Sequence, residues 1–435
     1  MTSRLSFRET LWVWWRIGVL SFGGPAGQIA LMHRVIVEEK KWLDETRFLH
    51  ALNYCMLLPG PEAQQLATYV GWLLQGVRGG LLAGLLFIVP GAVAIMLLSC
   101  VYVLLGQLAW VDGFFFGMKA AVLAIVIQAL LRIASRALDS RFKISLAVAG
   151  FLALFVFNLP FPLVVIGAGA IAYLAARFND AEKVVSETPE NMASVLGDTR
   201  GSKRAAFICA GLWASSLVLL YGALGNDHVL SQIATFFSKM SVVSFGGAYA
   251  VLSYVAQEGV NQYQWLAPGQ MLDGLGLAET TPGPLILVTQ FVGFLGGWNA
   301  GETSSLWLAI CGALVTLWVT FVPCFLWIFA GAPYVEKLRE NAALSAALAA
   351  ITAVVVGVIA NLALWFALNL LFTETSTVAW GPVNFALPEL PTVQLPALAL
   401  SSLACLMLFV FKLRMLVMLL VCALLGMLWR AFLGM

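Results

Sequence analysis

The chain has 435 residues, a formal net charge of +2 and a mean hydropathy of +0.92, with 61% hydrophobic and 11% charged residues. Soluble proteins carry about 25% charged residues, so this composition excludes a set of soluble domains and implies a polytopic integral membrane protein. The near-zero net charge also excludes the basic excess that nucleic-acid binding requires.

A spanning helix needs about 20 apolar residues. In chain order the sequence predicts two apolar segments broken by Gly and Pro, at 10–32 and 50–76. Clean spans follow at 80–106, 113–135, 144–159 and 160–176, the last two short and joined by a turn at Asn158-Leu159-Pro160. Residues 177–204 hold five bases and five acids and form a linker. Next come a clean span at 205–224, broken segments at 229–256 and 271–297, and clean spans at 304–331, 343–372, 395–411 and 413–431. Residues 373–394, rich in Thr, Ser and Pro without Lys or Arg, form an external loop. The expectation is an all-α polytopic membrane protein of about 13 membrane segments.

Other chemistry is poorly supported. The seven cysteines (Cys55, Cys100, Cys209, Cys311, Cys324, Cys405, Cys422) lie singly in apolar stretches and act as small buried hydrophobes. His33, His50 and His228 lack an HExxH context, and there is no Walker A sequence. Gly167-Ala168-Gly169 sits in a membrane-grade run and packs helices. The apolar stretch from Leu11 carries Arg16 and no cleavage site, so it is not a cleavable signal. Neither a nucleophile–base pair nor a metal, flavin or haem site is recognisable in the spans. The chain is therefore expected to be neither an enzyme nor a cofactor carrier.

The broken segments repeat. Ser21-Phe22-Gly23-Gly24 recurs as Ser244-Phe245-Gly246-Gly247, and Pro59-Gly60-Pro61 as Pro282-Gly283-Pro284, both at an offset of 223. Trp42 and Trp265 share that offset, as do Arg16 and Lys239; after a one-residue slip Val70-Gly71 matches Val292-Gly293. Four features in one register indicate an internal duplication: repeat 1 at 1–180, a cytoplasmic linker at 181–204, and repeat 2 at 205–435 with an extra leading helix. That helix places seven steps between equivalent positions, so the repeats are inverted, the usual construction of secondary transporters.

Positive-inside counting orients the chain. Loop 132–143, with Arg132, Arg136, Arg141 and Lys143, is cytoplasmic, and so are 177–204, Lys337/Arg339 and Lys412/Arg414. The N-terminus, with Arg4 and Arg8, falls in the cytoplasm and the C-terminus in the periplasm. If the broken segments cross fully, basic loop 33–49 lies outside and 257–270, without Lys or Arg, lies inside. Re-entrant hairpins reverse both and agree with the charge rule, which makes them the preferred threading.

Each break is followed by a helix start, near Pro25, Pro61, Ala248 and Pro284. Proline suits the first helical position because its missing N–H is not needed there, and glycine permits positive φ. The first N–H groups of the new half-helix have no intrahelical partner. Such groups are tolerated at membrane depth only in protein or beside a wet cavity, where they form an anion site. Four ends at about +0.5 charge each could offset about two negative charges. The candidate binding residues are Arg16, Ser21, Gly23, Gly24, Pro59, Gly60, Pro61, Lys239, Ser244, Gly246, Gly247, Pro282, Gly283 and Pro284. Arg16 and Lys239 each precede their serine by five residues, so that replacing either by Gln is expected to abolish transport. Glu62 and Glu279 beside the two PGP elements are coupling or gating candidates. Gln28, Asn53, Gln64, Gln65, Thr280, Thr281 and Gln290 flank the breaks, and Lys119 stands alone in 113–135. Cations and N–H donors dominate, so the preferred solute is an anion.

At these residues the chain resembles the chromate ion transporter family in its long, two-domain form. The likeness rests on paired SFGG and PGP elements, with PGPE in the first half and ETTPGP in the second. One departure is Ala248 after the second SFGG, where the first has Pro25. The resemblance implies efflux of chromate across the bacterial inner membrane, conferring chromate resistance, with sulfate as a look-alike oxyanion. Another oxyanion carrier or an anion channel shares every feature, and a homo-oligomer is compatible with the sequence. A dianion leaving a cell at −100 mV gains about 4.6 kcal/mol, so export does not require a proton, although Glu62 or Glu279 could carry one.

Overall fold

The computed structural model describes residues 6–106, 108–178, 199–245, 247–301, 304–331 and 342–432. Arg4, most of the predicted linker, Gly246 and the loop with Lys337 and Arg339 lie outside the described residues. The first helices are α1 (Phe7–Leu20), α2 (Gly24–His33), α3 (Glu45–Cys55), α4 (Glu62–Leu105) and α5 (Ala109–Ala137). They are followed by α6 (Arg141–Phe155), α7 (Phe161–Phe178), α8 (Thr199–Leu224), α9 (Val229–Val243) and α10 (Ala248–Ala256). The remainder are α11 (Pro268–Thr280), α12 (Val288–Trp298), α13 (Leu306–Gly331), α14 (Ala342–Leu371), α15 (Leu395–Cys405) and α16 (Met415–Phe432).

Seven of the described helices are long and apolar enough to cross a bilayer, α4, α5, α7, α8, α13, α14 and α16. Their outer faces are apolar: on α4, Leu81, Leu85, Val89, Val93, Leu97 and Leu104 are all exposed. A stripe at helical spacing that faces away from the protein core requires an apolar solvent. The protein is an all-α, multi-pass membrane protein.

The PGP segment and the span after it, labelled together α4, are two arms divided at Gln75 and Gly76, where the sequence ends the broken segment at 76 and begins the clean span at 80. Gly76 has φ 64° and ψ −156°, a conformation that side chains disfavour. The two arms touch so closely that a Cβ on Gly71 would lie 2.4 Å from Gly79 O. The expected loop at 373–394 contains an antiparallel hairpin, β1 (Thr375–Trp380) and β2 (Val383–Pro388). Trp380 pairs with Val383, and Gly381 takes positive φ at the first central position of the two-residue turn.

The chain folds as two compact units, each drawing on both ends of the sequence. The first holds Met1–Met96, Ala172–Ala248 and Thr281–Ala346; the second holds Leu97–Ile171, Tyr249–Thr280 and Ala347–Met435. Within the first unit, Lys40 pairs with Glu9 at 2.7 Å and Arg16 with Glu39 at 3.1 Å. These contacts show that α2 and its π-helical extension, Arg34–Glu39, run back along α1. Within the second unit α5 packs on α16 through small residues; a Cβ on Gly117 would lie 1.9 Å from Cys422 O.

Equivalent positions adopt equivalent local structure. The π-turns Arg34–Glu39 and Gln257–Gln262 stand 223 residues apart. Each is followed by a left-handed residue, Lys41 at φ 52° and Gln264 at φ 54°. The next N–H then reaches back, Trp42 to Ile36 O at 2.9 Å and Trp265 to Gly259 O at 2.8 Å.

Candidate functional site

Each SFGG serine ends a helix in the same way. Ser21 (φ −77°, ψ 67°) closes α1 and Ser244 (φ −79°, ψ 58°) closes α9. Both are inverse γ-turns, with Phe22 N–H donating to Leu20 O and Phe245 N–H to Val243 O, each at 2.9 Å. The turn directs the serine carbonyl away from its own helix. Gly283 N–H donates to Ser21 O, and Gly60 N–H donates to Ser244 O, both at 3.0 Å. Thus the PGP glycine of each half is bonded to the SFGG serine of the other, all four within the first unit. Gly60 (φ 124°) and Gly283 (φ 90°) occupy backbone regions open to glycine.

These bonds gather four helix starts around one narrow recess in the first unit. It is lined by Pro25 and Gln28 of α2, Pro61, Glu62 and Ala63 at the start of α4, and Gly247 with Ala248 of α10. Pro284 and Leu285, where a 3-10 turn Leu285–Leu287 leads into α12, complete it. Its free space admits little more than a water molecule. At α4 the first helical bond is Gln65 N–H to Pro61 O, so the N–H groups of Glu62, Ala63 and Gln64 precede it. Among the described residues the lining has a carboxylate, Glu62, and no cation. Glu62 Oε1 lies 3.5 Å from where a Cβ on Gly247 would stand. Positive potential in the recess therefore comes from helix ends rather than side chains.

Buried amides brace the breaks. Gln28 Nε2 donates to Gly283 O at 2.6 Å, and Gln65 Nε2 to Pro59 O at 2.7 Å. Gln64 Nε2 reaches Thr68 Oγ1 at 2.9 Å, and Gln290 Nε2 reaches Ala92 O at 3.0 Å. The Oε1 atoms of these four glutamines are buried without a partner among the described residues. Ser21, Ser244 and Thr281 are buried.

The other sequence candidates stand elsewhere. Arg16 is half-buried in its ion pair with Glu39 and does not line the recess. Lys239 and Asn53 are exposed. Glu279 and Lys119 belong to the second unit. There Tyr249 Oη donates to Glu279 Oε1 at 2.7 Å, while Lys119 Nζ is 3.2 Å from Asp273 Oδ2. Tyr102 Oη donates to the same oxygen at 2.9 Å. Sequence reasoning passed over Asp273, Tyr102 and Tyr249. A signal for Asp273 was present: it is an acid within an apolar segment, like Lys119.

A sequence model of one family, described as chromate transporter, matches the chain in two segments, residues 8–174 and 231–427. The chromate transport protein of Cupriavidus metallidurans is 28% identical over 354 residues, covering 81% of this chain and 81% of that protein. That of Pseudomonas aeruginosa is 32% identical over 352 residues, covering 79% and 77%. A probable chromate transport protein of Synechococcus elongatus is 29% identical over 349 residues, covering 80% and 81%. No solved structure matches.

Proposed function

The chain belongs to the chromate transporter family, and we propose that it is a secondary transporter exporting chromate across the bacterial inner membrane, so conferring chromate resistance. The observation that carries this reading is the convergence of four helix starts on one recess lined without a cation. Chromate is a tetrahedral dianion. Four helix ends supply about two opposing charges, and their N–H groups suit its oxygens. Glu62 at the rim acts as a gate: its carboxylate repels a dianion, and protonation or displacement relieves that repulsion. The recess is too narrow for a chromate as it stands, so loading requires the helix starts to separate.

The repeats act as inverted halves cross-tied at their breaks, and the matched Ser–Gly bonds and π-turns support that duplication. Re-entrant threading is supported by the ion pairs that bring Glu39 and Lys40 back to α1. On the second side, Tyr102 and Lys119 hold the start of α11 beside the α4–α5 connection. The N-terminus and loop 33–49 are then cytoplasmic, and 257–270 and the C-terminus periplasmic. Membrane potential drives export, since an inside-negative 100 mV is worth about 4.6 kcal/mol for a dianion, more than a thousandfold in concentration.

Inverted vesicles preloaded with chromate test this directly. Labelled chromate is expected to enter by exchange faster than into empty vesicles. Exchange with sulfate but not chromate would reassign the substrate, and flux without acceleration by internal anion would identify a channel.

A further inference from the structure

We propose that Asp273 is a proton-binding site coupled to transport, with Lys119 as the counter-ion that protonation releases. The proposal rests on the reading of the chain as a transporter and adds a residue outside the recess. Within the second unit, α5, α11 and the last turns of α4 meet on a single carboxylate oxygen. Asp273 Oδ2, on α11, takes Lys119 Nζ of α5 at 3.2 Å and the Tyr102 hydroxyl of α4 at 2.9 Å. The other oxygen, Oδ1, is buried without a partner among the described residues, and Asp273 as a whole is 2% exposed. A carboxylate so held has one oxygen committed and one open to a proton.

The pair has two discrete states. In one, the charges of Lys119 and Asp273 cancel. In the other, a hydronium ion gives its proton to Oδ1: one of its O–H bonds breaks as the carboxyl O–H forms, water departs, and the neutral acid no longer holds the ammonium. Removing one charge of a buried pair strongly destabilises the arrangement left behind, so the helices carrying the two groups have reason to shift. Lys119 is not fully enclosed, its side chain being 21% exposed, which leaves the released ammonium room to move. Glu279 likewise has one buried oxygen, Oε2, without a partner among the described residues, but its Oε1 is held by the neutral Tyr249 hydroxyl and no described cation stands in ion-pair contact with it. The remaining charged groups around Asp273 are Asp112 on α5 and Arg430 on α16, already joined to each other at 3.0 Å. Gln270 of α11 accepts from Ala267 N–H through Oε1 and also bonds the Tyr102 hydroxyl.

Connectivity links this oxygen to the recess. Helix α11, which bears Asp273, ends at Thr280, next to Thr281 and the second PGP. A shift of α11 at Asp273 therefore reaches the chain beside the second PGP break. The first PGP is no such link, because α4 reverses at Gln75 and Gly76 before it reaches Tyr102. Proton entry and chromate exit both run in the direction an inside-negative potential favours.

The test uses the full chain in inverted vesicles at zero potential. With one proton coupled, a one-unit pH gradient, acid inside, is expected to concentrate chromate about tenfold in the wild type. Asp273→Asn should retain chromate counterflow and lose this accumulation, and Asp273→Glu should restore part of it. The double variant Lys119→Met/Asp273→Leu strands no charge and should behave as Asp273→Asn. Wild-type accumulation in the double variant, loss of its counterflow, or a wild type indifferent to the gradient would each overturn the proposal. Absence of counterflow in the wild type would instead count against the transport reading.

Discussion

The recess of the first unit and the ion-pair cluster of the second manage buried charge in opposite ways. Around the recess, helix starts supply positive potential and no cation is among the described lining residues. In the cluster, Lys119 cancels Asp273 side chain to side chain. A fixed cation binds an anion tightly and retains it, whereas a half-charge at a helix end is weaker and costs no side-chain ordering. Transport needs release as much as binding. The proposed site is accordingly built of glycine and proline, which shape backbone, and the cluster of charged side chains, which pair.

Substitutions separate these roles. The largest effect is expected from Gly117→Leu, whose side chain must enter space 1.9 Å from Cys422 O. Overpacking a helix seam costs about 1–3 kcal/mol or more, so the protein should fail to accumulate in the membrane, read by immunoblot. Next come Gly60→Val and Gly283→Val. Each places a β-branched residue at positive φ, a strain of about 1–3 kcal/mol, and disturbs one of the two Ser–Gly bonds. Chromate counterflow should fall about tenfold to a hundredfold while most of the protein remains in the membrane. Normal flux in both would detach the recess from transport.

Glu62→Gln should have a smaller effect of the opposite sign on affinity. Removing a carboxylate beside a dianion strengthens binding, so half-saturation for chromate should drop by about tenfold or less; weaker binding would make Glu62 a substrate ligand. Arg16→Gln loses the clamp to Glu39 and should slow transport about two- to threefold, near the worth of one exposed ion pair. The exposed Lys239→Gln should change least, within about twofold. Abolished export in the Lys239 variant would restore the cation to the site.

The four helix starts were legible because Gly and Pro are costly inside apolar helices, and their common offset of 223 sets them against chance. The span boundaries were legible for the same reason that membranes demand them, and the turn at Asn158 fell where expected. The partners of the breaks were not. That Gly283 bonds Ser21, 262 positions away, is fixed by tertiary folding and leaves no mark in either motif. The reversal at Gly76 fell where the sequence divides segment 50–76 from span 80–106, at Gln75-Gly76-Val77-Arg78-Gly79-Gly80. The β-hairpin escaped notice because its strands are short and mixed with loop-forming residues; Gly381-Pro382 alone marked its turn. Arg16 and Lys239 share a register with the breaks, but spacing along a helix does not say which way a side chain faces.

The central claim, that helix starts rather than cations hold the oxyanion, is tested most directly by locating chromium. A chromium anomalous-difference map from crystals grown with chromate should show a peak in the recess bounded by Pro25, Pro61, Gly247 and Pro284, within hydrogen-bond reach of the N–H groups of Glu62 and Ala63. A peak beside Lys119 or Arg16, with the recess empty, would contradict it.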